Sequence, residues 1–271
     1  MKTVLVYDRA RFARNSEFVR MIFEKFALRG WKIELKMLED WTPGADLQGS
    51  VHDPLPDAVL MRAADPDFSR NLESLGVRVF NSSLVSEICN DKWKTYEFFS
   101  SRGVPMMPTF RIGESTQDPA LDYPFILKSP NGHGGSEVLL VRNSLEYKNL
   151  AHSAYIAQPL CDTPGKDLRV YCVGNQIAAA MLRTSTTDFR SNYSLGGRAV
   201  PKELDLEERT LVEKVLSFVR FDFVGIDLIY HQNHPILNEI EDIVGSRMLY
   251  RETKIDILDL FLEHFDREMN R

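Results

Sequence analysis

The segment FVGIDLIYHQNHPILNEIED constrains this chain more than any other. Two apolar runs flank a short polar break, HQNH, and the pattern predicts a β-hairpin. Glu239 and Glu241 are two residues apart, so on a strand both side chains face the same way. A four- or five-residue connection would put Asp227 nearly opposite Glu239. Like charges directly opposite each other destabilise a sheet. A fold that gathers Asp227, Glu239 and Glu241 therefore either exposes them to water or uses them to hold a cation. Their Ile, Leu and Val neighbours argue against a fully wet face. Oxygen-only ligands suit Mg²⁺ or Mn²⁺, which often bind through a few carboxylates plus substrate phosphates. On the hairpin alone, a solvated acidic edge and a metal site both stand.

At 271 residues the chain can bury a sizeable core, in one large domain or two small ones. Its formal net charge of −6 provides no general basic field for nucleic acid or an anionic membrane. The start, MKTVLVYDRA, does not read as a signal peptide, because Tyr7, Asp8 and Arg9 break its apolar stretch at once. No run is long and apolar enough to span a bilayer. Cys89, Cys161 and Cys172 form no C-x-x-C pair, and buried free thiols in a reducing cytoplasm are the simplest account. A cytoplasmic protein is expected, with no nucleic-acid or membrane partner.

The first third alternates strand and helix. KTVLVY, KIELKML, DAVLMR and VRVFN read as strands. SEFVRMIFEKFALRG and PDFSRNLESLG read as helices, the first with Ser16 near its start and Gly30 at its end. This order implies a small, parallel-rich sheet covered by helices. No G-x-G-x-x-G follows the first strand, so a dinucleotide role has no support. SLVSEICNDKWKTYEFFSSRG is expected as one long helix ended by Gly103. Beyond residue 104 strands dominate: VPMMPTF, PFILKS, EVLLV, AYIAQPL, DLRVYCV, QIAAAMLRTS and the terminal hairpin. One helix interrupts at about 206–220, where Asp205 and Glu208 stand as a start signal. The final helix, IDILDLFLEHF, carries an apolar stripe at 255–265 that is most simply packing, with a homodimer contact as the alternative.

Two further segments carry chemistry. In PFILKSPNGHGGSEVLLV a strand ends in Lys128, and a loop with Gly132, Gly134 and Gly135 leads into the next strand. Glycines let backbone N–H groups approach an anion in conformations a Cβ would forbid. The loop joins strand to strand, so it is neither a Walker A loop nor a Rossmann turn, and a flexible hairpin turn is the plainer reading. Lys128 at its base could meet a phosphate as a point charge. His133 within it reads first as a loop-tip histidine. In DLRVYCVGNQIAAAMLRTSTTDFRSNYSLGG, Arg169, Arg183 and Arg190 fall on or beside strands of one sheet. Three arginines near three carboxylates make either a structural ion-pair network or a site for a metal-bound polyanion.

Taken in order, the motifs NDKWKTYEFFSSRGVPMMPT, FILKSPNGHGGSEVLLV, AQPL…GKDLRVYCVGNQIAAAMLR, DFRSNYSLGGRA and VGIDLI…NEIEDIVGSRM resemble the ATP-grasp superfamily. Within it they resemble the RimK-like carboxylate–amine ligases of the alpha-L-glutamate ligase type. The resemblance covers about residues 55 to 250. It implies an α/β ATP-grasp fold with α+β character in the C-terminal part. A small Rossmann-like N-terminal domain at 1–88 would precede an ATP-grasp domain at 89–271. Within the latter, a lid subdomain at about 108–160 and a C-terminal subdomain at about 161–271, both built on antiparallel sheets, would grip ATP.

The resemblance also implies roles for individual residues. Lys92 and Lys128 match lysines that contact ATP phosphates, and the stretch Gly132, His133, Gly134, Gly135, Ser136 matches the lid loop over them. Gln158, Pro159 and Leu160 match the segment that contacts adenine, and Asp167 matches a ribose-side carboxylate. Arg169 matches the arginine facing the reacting carboxylate. Arg190, Ser191 and Asn192 match F-R-S-N, near the γ-phosphate and acyl group, with Arg183 beside them on the nucleotide side. Asp227 and Glu239 match two ligands of Mg²⁺, or of Mn²⁺. Glu241 stands where the family usually has Asn, and Val244-Gly245 replaces proline-glycine, which adds negative charge to the metal site. The implied activity is ATP-dependent amide formation between a carboxylate and an amine, an amino acid or small peptide, through an acylphosphate. A ligase acting on a peptide or protein side chain and a low-turnover ATP-binding protein are the alternatives. Arg62, at the end of DAVLMR, is a candidate for meeting a substrate carboxylate, with a plain surface arginine as the other reading.

Overall fold

The computed structural model describes residues 1–45, 51–112, 121–132, 137–150, 155–191, 193 and 196–271. The chain opens with β1 (Thr3–Tyr7), α1 (Arg9–Leu28) and β2 (Ile33–Met37). A short ribbon, β3 (Gly44–Ala45) and β4 (Val51–Asp53), precedes β5 (Ala58–Arg62), α2 (Pro66–Ser74) and β6 (Arg78–Phe80). The sheet order is β2-β1-β5-β6, all parallel. Its central strands β1 and β5 are buried on both faces, as parallel sheets require, while the edge strand β2 is only partly covered. Helix α1 starts seven residues before the expected Ser16, because Asp8 caps it by accepting from Arg11 N. The helix is non-helical at Asn15 (φ −126°, ψ 19°), so the Ser16 boundary coincides with a kink rather than a start.

The helix expected over residues 83–103 is two helices, α3 (Ser83–Cys89) and α4 (Lys92–Ser100). Asp91 makes the break. Its carboxylate accepts from Trp93 N and Lys94 N, which competes with helix continuation and restarts the chain with Lys92 at the first helical position. The strand expected over VPMMPTF is also corrected. Only Phe110 of it is in a strand, and Met106 makes a single bridge to Leu237.

Next come β7 (Phe110–Ile112), β8 (Phe125–Lys128), β9 (Val138–Val141), α5 (Ser144–Lys148) and β10 (Tyr155–Pro159). They form a sheet of order β7-β10-β8-β9 with its own small core around Phe125, Leu127 and Tyr147. The largest sheet, order β13-β12-β11-β14-β15, contains β11 (Lys166–Val173), β12 (Gln176–Thr184) and β13 (Arg198–Pro201). Helix α6 (Leu206–Leu216) leads into its remaining strands, β14 (Phe223–His231) and β15 (His234–Glu241). Asp205 and Glu208 form the expected reciprocal cap on α6. The last elements are α7 (Arg247–Glu252), which has no counterpart in the sequence reading, and α8 (Ile257–Met269). The apolar stripe of α8 is consumed by packing: Leu258, Leu262 and Phe265 are fully buried in a core shared with Leu5, Phe26 and Phe80 of the N-terminal sheet layer. Packing therefore accounts for that stripe.

The terminal hairpin forms, with a tighter turn than expected. Gln232 and Asn233 sit at φ 52° and 65°, the left-handed pair of a two-residue turn. A two-residue turn in unbroken register would place Asn238 opposite Asp227. A β-bulge at Asp227/Leu228 absorbs one residue and brings Glu239 there instead.

Candidate active site

The register of the largest sheet explains how its charges meet. Arg183 on β12 pairs across to Asp167 on β11. Arg169 on β11 pairs to Asp227 on β14, which pairs to Glu239 on β15. Opposite charges thus face each other except at Asp227–Glu239, and the arginines offset that repulsion. Arg169 grips Asp227 with two parallel bonds, Nε to Oδ1 at 2.7 Å and Nη2 to Oδ2 at 2.6 Å. Its Nη2 is also 2.7 Å from Glu241 Oε1. Arg183 holds Asp167 in the same way, both bonds at 2.6 Å, and adds a 2.7 Å bond from Nη2 to Asp227 Oδ2. Both arginines and both aspartates are buried. Each charge is paired, which is the condition for burial without a large penalty.

Burial pushes the Asp227 carboxyl up, but Arg169 and then Arg183 more than offset this and hold it at about 2. Glu241 goes the other way: burial raises it, with repulsion from Asp227 and Glu239 adding, in spite of Arg169. Gly225 lies opposite Glu241 in the same hairpin. A Cβ on it would meet Val244 Cγ2 at 2.6 Å, so glycine lets the chain after β15 fold back over the sheet.

One candidate oxygen from each of Asp227, Glu239 and Glu241 lies within 4.8 Å of the others. The donor set is all carboxylate oxygen, which suits a hard divalent cation. Both Asp227 oxygens are engaged by arginine, whereas among the described residues Glu239 has a single ion pair, to Lys92 Nζ at 3.6 Å. Facing this group, Lys128 donates to Asn238 Oδ1 at 2.8 Å. Lys92 Nζ donates to the Gly132 carbonyl, tying the start of α4 to the base of the glycine loop. Gln158 is buried and donates to Thr109 Oγ1 at 2.8 Å. Arg190 is held by Asp188, with Nε to Oδ1 at 2.9 Å and Nη2 to Oδ2 at 2.8 Å.

Most of these residues line one cleft of about 930 Å³ between the two antiparallel sheets and the N-terminal layer. Its walls include Lys92, Lys128, Gly132, Gln158, Pro159, Leu160, Asp167, Arg169, Arg183, Arg190, Ser191, Glu239 and Glu241. Asp227 lies beneath, reached through Arg169. Arg62 also lines the cleft. The expected positions His133, Gly134, Gly135, Ser136 and Asn192 lie outside the described residues. Asn238, Asn90 and Asp242 also line the cleft and have no counterpart among the sequence expectations.

Comparison with known proteins places the chain. N-acetylaspartylglutamate synthase A of Homo sapiens is 34% identical over 208 residues, which is 69% of this chain and 53% of that protein. The chain spans about half the length of this relative and of its Mus musculus counterpart. Glutamate–LysW ligase ArgX of Sulfurisphaera tokodaii is 28% identical over 269 residues, covering 89% of this chain and 95% of that protein. D-cycloserine synthetase DcsG superposes with a TM-score of 0.72 at 16% identity, covering 99% of this chain and 100% of that one. D-alanine–D-alanine ligase from Bacillus anthracis, complexed with ATP, gives 0.71 at 15% identity over 100% and 99%. These two structures share the ATP-grasp fold with this chain. The RimK-like ATP-grasp domain matches residues 89–264, a span that contains every strand of both antiparallel sheets, and the chain belongs to that family.

Proposed function

We propose that the protein is an ATP-dependent carboxylate–amine ligase that makes an amide bond through an acylphosphate. The observation that carries this is a single cleft holding Lys92 and Lys128 beside Glu239, Glu241 and the Arg169–Asp227 pair. A substrate carboxylate oxygen attacks the γ-phosphorus of ATP and ADP leaves. The amine nitrogen then attacks the acyl carbon and phosphate leaves, with one proton lost from nitrogen. Positioning and charge stabilisation are the protein's work in such transfers. Lys92, Lys128 and Arg190 oppose the phosphate charge, and Arg169 orients the acyl oxygen. Gln158, Pro159 and Leu160 seat the base. Glu239 and Glu241, backed by Asp227, would hold Mg²⁺ or Mn²⁺, and a divalent cation there would supply positive charge against the charge that builds during transfer. The unit at 89–271 binds nucleotide, and the unit at 1–88 helps select the substrate. The free thiols Cys89, Cys161 and Cys172 suit a reducing cytoplasm, and among the described residues no helix is long and apolar enough to cross a membrane.

Relatives named for N-acetylaspartylglutamate, β-citrylglutamate and glutamate–LysW all involve glutamate. An amino acid or small peptide is the substrate class proposed here. The test is a panel of amino acids, peptides and carboxylic acids with ATP and Mg²⁺, read by phosphate release and product mass. An amide whose mass is acid plus amine less water is expected. Absence of ADP formation with every pair would sink the proposal. One observation favours a second reading. Arg169 is already engaged by Asp227 and Glu241 before any substrate arrives, as in a protein that binds nucleotide with little turnover. MgATP binding without ADP formation in the same panel would select it.

A further inference from the structure

Leu237 and Ile240 of β15 are both buried in the core that α6 shares with the largest sheet. On an unbroken strand, residues three apart face opposite ways. The bulge at Asp227/Leu228 resolves this. Leu237 pairs with Leu228 and Glu239 with Asp227, so Asn238 has no cross-strand partner. Two consecutive polar residues, Asn238 and Glu239, are thereby left off the core face, and both line the cleft. Bulges re-aim side chains in this way beside active sites.

The doublet meets the two lysines of the cleft one for one. Glu239 Oε2 lies 3.6 Å from Lys92 Nζ, and Asn238 Oδ1 accepts from Lys128 Nζ at 2.8 Å. The second bond runs from β15 to the end of β8, so it crosses from the largest sheet to the β7-β10-β8-β9 sheet. An ammonium has donors only, so the amide oxygen is the atom that faces it. What remains of the amide is its NH2, which has no acceptor among the described residues. Charge explains the residue type. Lys92 and Lys128 bring positive charge from two side chains, and Glu239 opposes it with one carboxylate. A second carboxylate at position 238 would cancel the remainder and set a negative charge where a phosphate has to come. An apolar side chain there would leave the partly buried Lys128 ammonium without this partner, which is costly. A neutral acceptor fixes the ammonium and leaves its charge available.

We propose that Asn238 is a positioning residue of the phosphate subsite: its amide oxygen sets the Lys128 ammonium in place to meet a phosphate oxygen of the nucleotide, and its neutrality keeps that charge uncancelled. The assignment rests on the ligase reading above, in which this cleft binds ATP. The ammonium carries three donors, so it keeps Asn238 and gives a second N–H to the phosphate. The bulge is what makes this possible, because it places a neutral acceptor for one lysine directly before the carboxylate that faces the other.

The experiment is titration calorimetry with MgADP and with adenosine, on the wild-type protein and two variants of nearly the same shape. Asn238→Leu removes the acceptor, and Asn238→Asp keeps an acceptor but adds a charge. Asn238→Leu is expected to weaken MgADP binding roughly tenfold, and Asn238→Asp by at least roughly tenfold. Adenosine, which has no phosphate, is expected to bind all three proteins alike, which also shows that the variants fold. A residue that only shaped the bulge would move both ligands together. Unchanged MgADP affinity in either variant, or a loss shared by adenosine, would overturn the proposal. Hydroxylamine intercepts acylphosphates, so wild-type protein that binds MgADP and forms hydroxamate from an acid and ATP, while Asn238→Leu keeps its MgADP affinity, would leave the ligase reading standing and remove only this assignment. Wild-type protein that binds no MgADP would overturn both.

Discussion

Lys128 sits where burial works against its own charge. Burial pushes its ammonium down to about 8, against the pull of Glu239. Phosphate is met by the protonated form, so nucleotide affinity is expected to be complete below that pH and to fall as pH rises through it. Asp227, held at about 2, contributes nothing in this window. Arginine stays charged throughout. Lys128→Arg is therefore expected to flatten the profile, and titration calorimetry with MgADP over a pH series reads the difference. The same depressed value means that the unliganded protein gains stability from this group as pH rises from about 8 toward 10.5, because the unfolded chain there binds more protons. Glu241→Asn removes one negative charge from the ligand set and is expected to weaken Mg²⁺ binding while freeing one bond of Arg169; unchanged affinity would remove Glu241 from the ligand set. Asp227, Glu239 and Glu241 were legible because a strand's two-residue period puts them together. Asn238 was not, since it occupies the bulge that the period cannot show. Asp242 was not, since alternation carried past Glu241 assigns it to the opposite face, whereas β15 has ended there.

Each element that positions the site depends on a local polar device. Helix α6 begins with Asp205 accepting from Glu208 N at 2.9 Å and Glu208 Oε2 accepting from Asp205 N at 3.0 Å. Asp205 is exposed, whereas Glu208 is 1% exposed and also accepts from Tyr230 OH at 2.7 Å and from Lys202 Nζ. The two halves of the cap are therefore unequal. Asp205→Ala is expected to cost about 1 kcal/mol, the ordinary worth of a cap. Glu208→Ala is expected to cost about 2–4 kcal/mol, since it also strands a hydroxyl and an ammonium. Urea unfolding of both variants checks the order, and equal costs would contradict it. This cap was readable from an acidic residue three positions before a glutamate and an apolar run. The Asn90–Asp91 break was not, because apolar residues continue in helical phase on both sides and mask it. Yet that break sets Lys92 at the start of α4, within reach of Gly132 and Glu239.

At the scale of the whole molecule the cores, more than the sheets, define what moves together. Phe265 on α8 packs against Phe26, Trp31 and Phe80, with ring centres 5.0–5.8 Å apart. The same core includes Tyr171, Val173 and Met181 of the largest sheet. The expected division at 88/89 falls inside α3, and Asn81 bonds across it to the Phe223 and Asp242 carbonyls. A sequence reading separates these units by their strand order, parallel against antiparallel, and has no access to a core shared between them. The β7-β10-β8-β9 sheet differs in closing over its own smaller core. The N-terminal layer and the largest sheet are thus expected to unfold as one, with the β7–β10 sheet opening at lower free energy. Phe265→Ala is expected to cost about 3–5 kcal/mol of global stability and to accelerate hydrogen exchange equally in β1 and β11. Exchange in β8 and β9 is governed by local opening, so the substitution should leave it nearly unchanged, while MgADP bound in the proposed cleft should slow it. Separate unfolding of β1 and β11 would show that the shared core does not couple them.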